Sequence, residues 1–160
     1  MQDDHANTQS TSATIAGLFR RVGLLTADEE PHRSNPLSDP PAFRELTLRL
    51  AGIVDRPYDL IVVRDLFGDR VLGYQLALIA EKPVTVSYDR EGVIALESGG
   101  FISRGSRALI AADVHFSTNS IQAAASGIEQ AGLEVSGAAV LLQVTRGNYA
   151  FPVWALESHV

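Results

Sequence analysis

The chain has 160 residues, 46% of them hydrophobic and 20% charged, the balance of one ordinary globular domain with a core large enough to need no staple. It has no cysteine, which excludes disulfides and thiolate metal sites and fits a cytoplasmic address. A net charge of −6 disfavours nucleic acid as a partner, and no apolar run reaches the roughly 18–20 residues of a membrane helix.

Residues 1–13 are polar, acidic and aperiodic, and read as a disordered arm without the apolar segment of a signal peptide. The single domain is expected to span 14–160. Ile15, Leu18, Phe19 and Val22 recur at helical steps, with Thr14 placed as N-cap. Residues 26–41, with Pro31, Pro36 and Pro40, predict a long loop of the kind that is functional or mobile. Pro40-Pro41 open a second helix whose apolar face would be Phe43, Leu46, Leu48, Leu50 and Ile53.

From residue 59 the pattern changes. Leu60–Val63 is a short apolar run, as in a buried parallel strand. A loop over 64–69 leads to a helix over 71–80, with Leu72, Leu76, Ile79 and Ala80 on one side. Strands follow at 83–88, 108–112, 134–144 and 152–156, with a short one at 93–96 and a helix at 117–131 facing inward through Ile121, Ala124, Ala125 and Ile128. Residues 89–106 are rich in glycine and serine and read as a loop around the short strand. The apolar tail Tyr149–Leu156 could be the last strand or part of a contact, and the strand is favoured. Alternating strands and helices demand an α/β fold: a mostly parallel twisted sheet with helices on both faces. Such sheets bind ligands at the carboxyl ends of their strands.

The segment after residue 112 carries the chemistry. Ser117, Thr118, Asn119 and Ser120 open a helix, and exposed N–H groups at a helix start attract anions. Asp113 could accept from sugar hydroxyls or hold a magnesium-bound water. The same pattern also describes an ordinary N-cap. His115 could serve as a general base near neutral pH, or could end a strand and bond locally, which is favoured. His5, His32 and His159 form no metal constellation with it. One lysine, Lys82, stands against twelve arginines; arginine suits phosphate, though base-composition bias explains the excess more simply.

Ala108 to Ser120 resembles, without a gap, the signature of the type I phosphoribosyltransferases: four apolar residues, two acids, then V-x-T-T-G-x-T into a helix. The similarity continues through Leu18–Leu25, Asp59–Ala77, Tyr88–Gly92, Gly99–Phe101 and Gln130–Val140, about 140 residues in order, and points to the orotate phosphoribosyltransferase branch. The resemblance implies a homodimer and a transfer of ribose 5-phosphate from phosphoribosyl pyrophosphate, with Mg2+, to orotate or another base. It assigns the ribose or its metal to Asp113 and the 5-phosphate to Ser117, Thr118, Asn119 and Ser120. It puts the pyrophosphate loop at Gly68 and a phosphate or orotate contact at Arg90.

The departures gather at those same positions. Ala112 replaces the first acid, and a lost carboxylate hydrogen bond costs about 1–3 kcal/mol. Phe116 and Thr118 replace a threonine and a glycine. Asp69 replaces the second glycine of the pyrophosphate loop, where a charge facing a phosphate at about 4 Å costs about 4 kcal/mol. Arg64 and Arg70 could offset that charge, or could pair with Asp65 and Asp69 and close the loop on itself, which is favoured. The loop 89–106 lacks the family's lysine and histidine, leaving Arg90, Arg104 and Arg107 as nearby cations. Two functions stay open: a diverged, catalytically impaired protein that binds a nucleotide or phosphosugar in a regulatory or assembly role, or a working Mg-dependent transferase.

Overall fold

The structure is a computed structural model that describes residues 13–97 and 102–160. The expected arm at 1–13, apart from Ala13, and Gly99-Gly100-Phe101 lie outside the described residues. Ten elements follow in chain order: α1 (Ile15–Arg21), α2 (Pro40–Ile53), β1 (Leu60–Arg64), α3 (Phe67–Ala80), β2 (Val84–Arg90), β3 (Val93–Leu96), β4 (Arg107–His115), α4 (Thr118–Gln130), β5 (Glu134–Gln143) and β6 (Val153–Ser158). The six strands form one sheet in the order β3-β2-β1-β4-β5-β6. Every pairing is parallel except β2 with β3.

Strand alternation divides the core into two layers. Ile61, Val63, Leu109 and Ala111 face α1, α2 and α3. Leu60, Val62, Ala108, Ile110 and Ala112 face α4, which buries Ile121, Ala124, Ala125 and Ile128 as its spacing predicts. On the first face Phe43, Leu46 and Leu50 of α2 are fully buried, each worth about 1.5–3 kcal/mol of burial. Close approach of α3 to β1 requires Gly73, where a Cβ would sit 2.3 Å from Val63 Cγ1.

Several expectations need correction. Leu48, Ile53 and Ile79 are exposed, because the buried stripes of α2 and α3 run through Phe43, Leu46 and Leu50 and through Leu72 and Leu76. Helix α3 begins at Phe67 rather than 71, so Gly68 and Asp69 belong to its first turn and not to a loop. Strand β4 continues to His115, past the expected end at Ala112, so Asp113, expected at the strand end, lies inside the sheet. Pro40 and Pro41 open α2 as expected, and Asp39 caps it, accepting from Ala42 N–H at 3.0 Å. Among the described residues no helix is long and apolar enough to cross a membrane.

Candidate functional site

β1 and β4 are neighbours at the middle of the sheet, and their carboxyl ends bring Arg64 and Asp113 together. Helix α3 leaves β1 through a two-residue turn and puts Asp69 in its first turn, where the helix dipole favours an anion. Arg64 grips that carboxylate with a fork: Nε donates to Oδ2 at 2.5 Å and Nη2 to Oδ1 at 3.1 Å. Two further guanidinium donors go to Ser120 Oγ and to the Val114 carbonyl, both at 3.1 Å.

Asp113 is consumed just as fully. Its Oδ2 accepts from Ser34 N–H at 3.0 Å and from Ser34 Oγ at 2.8 Å. Its Oδ1 accepts from Val114 N–H at 2.7 Å and stands 3.9 Å from Arg64 Nη2. The Asp113 N–H donates to Asp69 Oδ1 at 2.8 Å. Asp69 and Asp113 are buried, so one guanidinium serves two carboxylates out of water. Burial is the largest influence on Asp69 and pushes its carboxyl up to about 7; Arg64 opposes the rise and Asp113 adds to it.

Gly68 is the hinge of this packing. A Cβ there would lie 2.3 Å from Asp113 Oδ2 and 2.4 Å from Ser34 Oγ. The glycine that the resemblance gives to a diphosphate is occupied in admitting Asp113 and Ser34. The self-pairing expected of the loop is present in both halves, since Arg70 Nη2 also meets Asp65 Oδ1 at 2.5 Å, in an exposed pair. Arg70 further lies 6.0 Å from the centre of the Tyr88 ring.

The start of α4 is tied down by its own polar groups. Ser117 caps the helix, its Oγ accepting from Asn119 N–H at 3.3 Å, and Ser120 Oγ donates back to the Ser117 carbonyl at 2.9 Å. Thr145 Oγ1 donates to the Phe116 carbonyl at 2.8 Å. Arg33 lies over the Phe116 ring, 5.7 Å from its centre. Ser117 and Asn119 remain exposed, and Thr118 is half-buried.

His115 is fully buried, with Nε2 at 2.7 Å from Tyr149 Oη. Burial, reinforced by Arg64, lowers its pKa and keeps it neutral. Nδ1 has no hydrogen-bond partner of good geometry among the described residues. His115 ends β4 as expected and faces no open space, which fits a structural role better than a general base, but its partner is Tyr149, 34 residues on, rather than a local group.

The other cations scatter. Arg90 is exposed at the end of β2, paired with Val93 of β3, and the nearby cavity of about 260 Å3 is lined by its neighbour Asp89, with Arg64, Asp65, Ser87, Ser120 and Ala124. Arg107 pairs with Asp59 at the amino end of β4, and Arg104 lies against Gly132, so neither reaches the carboxyl ends. Among the described residues no group of three His, Cys, Asp or Glu could hold a metal. Asp113, the one carboxylate assigned to a magnesium-bound water, has both oxygens engaged by Ser34 and Val114, so the residues present do not fit that ion. Ser34 and Arg33 escaped the sequence reading. The only sign of them is the length of the loop they sit in.

Solved structures share this architecture. Adenine phosphoribosyltransferase from Thermoanaerobacter pseudethanolicus superposes with a TM-score of 0.64 at 23% identity, over 78% of this chain and 84% of that one. Orotate phosphoribosyltransferase from Aeropyrum pernix gives 0.67 at 18%, over 91% and 93%. UMP synthase from Leishmania donovani gives 0.67 at 16%, over 78% of this chain and 28% of its own length. The α/β fold is therefore that of the type I phosphoribosyltransferases, and neighbours of both adenine and orotate type carry it. No protein-family model matches the sequence, and no curated protein matches it.

Proposed function

We propose that this chain is a non-transferring protein of the phosphoribosyltransferase fold, diverged from the orotate branch, that acts by binding in a regulatory or assembly role. The observation that carries this is the closure of Arg64, Asp69, Asp113 and Ser34 upon one another. A diphosphate ligand would have to displace Asp69 from Arg64 and leave it buried and unpaired, at a cost of several kcal/mol. A ribose would have to displace Ser34 from Asp113. The remaining cavity of about 260 Å3 falls below the roughly 300–1,000 Å3 of small-molecule sites, and its wall carries Asp65 and Asp89 against an arginine already paired.

What stays open is the start of α4. Ser117, Thr118 and Asn119 offer it to a phosphorylated small molecule, held loosely and with strong salt dependence.

Calorimetry with phosphoribosyl pyrophosphate and Mg2+ tests the proposal. No binding tighter than millimolar is expected, and no product with orotate or adenine as acceptor. Micromolar binding that disappears in Asp113→Ala would overturn it in favour of the working transferase.

A further inference from the structure

On the α4 side of the sheet, the cavity of about 260 Å3 opens beside the carboxyl ends of β1 and β2, where sheets of this class take their ligands. Strand alternation sends Ser87 and Asp89 of β2 to this side, since Val84, Val86 and Tyr88 pack with the other layer. Ile94, the register partner of Asp89, lies against Gly127 of α4. The floor is apolar, built from Leu66, Ile94, Ala123 and Ala124. The polar groups around it are lopsided. Arg64 has four of its five N–H groups committed, to Asp69, Ser120 and the Val114 carbonyl. The Ser120 hydroxyl donates to the Ser117 carbonyl, and the Leu66 N–H to the Arg64 carbonyl at 2.8 Å. Ser87, only 7% exposed, gives its O–H to the Val63 carbonyl at 3.2 Å, which leaves its lone pairs for a donor. Asp65 receives Arg70 on Oδ1, and its Oδ2 has no partner among the described residues. Asp89 Oδ1 accepts the Gly92 N–H at 2.8 Å, and no cation pairs with Asp89 among the described residues. Arg90, the next residue, leaves β2 on the opposite face. The cavity therefore offers acceptors above an apolar floor, with a surplus of negative charge.

We propose that this cavity binds a small organic cation, an ammonium or amidinium group carried on a flat apolar body, with Asp89 as counter-ion and Asp65 and Ser87 as further acceptors. Such a group has donors only, the complement of this wall. An apolar cavity of about 150 Å3 holds benzene, so about 260 Å3 holds one ring and its cationic substituent. Exposed ion pairs contribute little by themselves, so the floor supplies most of the affinity and the carboxylates choose the charge. A hard divalent metal fits worse, because it takes about six oxygen ligands and the cavity has two carboxylates. The inference rests on the closed reading of Arg64, since an Arg64 released from Asp69 would turn the cavity toward anions.

Benzamidine, benzamide and benzoate share nearly one shape and differ in charge, and the amide NMR shifts of the full chain read their binding. Benzamidine should move the Ser87, Asp89, Ile94 and Ala123 signals with a Kd of about a millimolar or tighter. Benzamide should bind roughly tenfold more weakly, and benzoate should leave those signals in place. Asp89→Asn, at an exposed position, should raise the benzamidine Kd about tenfold, the worth of one hydrogen bond to a charged group. Ala123→Leu should abolish the shifts by filling the cavity with no change of charge, and an unchanged far-ultraviolet spectrum shows that both variants fold. Unmoved wild-type signals at the solubility limit of benzamidine, benzoate binding as tightly as benzamidine, or an unchanged Kd in Asp89→Asn overturns the inference. Phosphoribosyl pyrophosphate separates this failure from that of the closed site. Its silence beside a silent benzamidine sinks the cation site alone, whereas its binding at micromolar concentration sinks both.

Discussion

The sheet carries the same ion pair at both ends, and the two behave oppositely. At the carboxyl end Arg64 forks onto Asp69, which also accepts a backbone N–H from Asp113. At the amino end Arg107 forks onto Asp59, which also accepts the Arg107 backbone N–H at 2.8 Å. The residue types and bond pattern match. The side-chain exposures do not: 12% and 0% for the first pair, 43% and 41% for the second. Asp59 is held down to about 2, chiefly by its hydrogen bond from Arg107, while burial lifts Asp69 to about 7 despite Arg64. Solvent, not the partner, decides the electrostatic outcome. The exposed pair helps the fold slightly, and the buried one is a closure that is costly to open.

Four experiments would break or sharpen this contrast. The largest effect is expected of Arg64→Met, which strands two buried carboxylates and should cost about 3–5 kcal/mol in urea unfolding. Arg107→Met should leave the midpoint almost unmoved, and equal losses at the two ends would end the distinction.

Next comes pH. The carboxyl of Asp69 is raised in the folded state from an ordinary 3.8 to about 7, so the folded chain holds a proton there that the unfolded chain has released. Its contribution is therefore intact below about 3.8 and is lost as pH rises through about 7, a fall of a few kcal/mol at most. Asp59 has the opposite sign: its contribution is present above 3.8 and lost as pH falls through about 2. Urea midpoints taken from pH 4.5 to 7.5 should decline in the wild type relative to Asp69→Asn, and parallel slopes would show that burial does not dominate. Gly68→Ala should cost about 1–3 kcal/mol by driving a methyl group into Asp113 and Ser34, read as a lowered unfolding temperature. The smallest change, about 1 kcal/mol, is expected of Ser117→Ala, which removes the cap of α4 and leaves the buried pair alone.

Local features were legible in the sequence. The spacing of Ile121, Ala124, Ala125 and Ile128 gives the buried face of α4, and Thr14 caps α1. The pairing of Arg64 with Asp69 and of Arg70 with Asp65 could be foreseen, because each pair lies five residues apart. What escaped depends on distant partners. Ser34 reaches Asp113 across 79 positions, and His115 is kept in the strand by Tyr149, 34 positions on. Helix α3 starts early because Asp69 gains Arg64 and the Asp113 N–H by entering its first turn. No periodicity announces such a gain.

The sheet order has a consequence for how the chain is made. β1 is an inner strand, yet Leu60 pairs with Ala108, forty-eight residues later. During synthesis from the amino end, β1 can acquire β2 on one side while its other edge stays bare until β4 has emerged. An apolar strand with an open edge invites pairing with a neighbouring nascent chain. Parallel, non-local pairings of this kind also close slowly, on the scale of milliseconds to seconds. The clasp between Ser34 and Asp113 can form only after that edge is covered, so it is a late event and a marker of completed assembly.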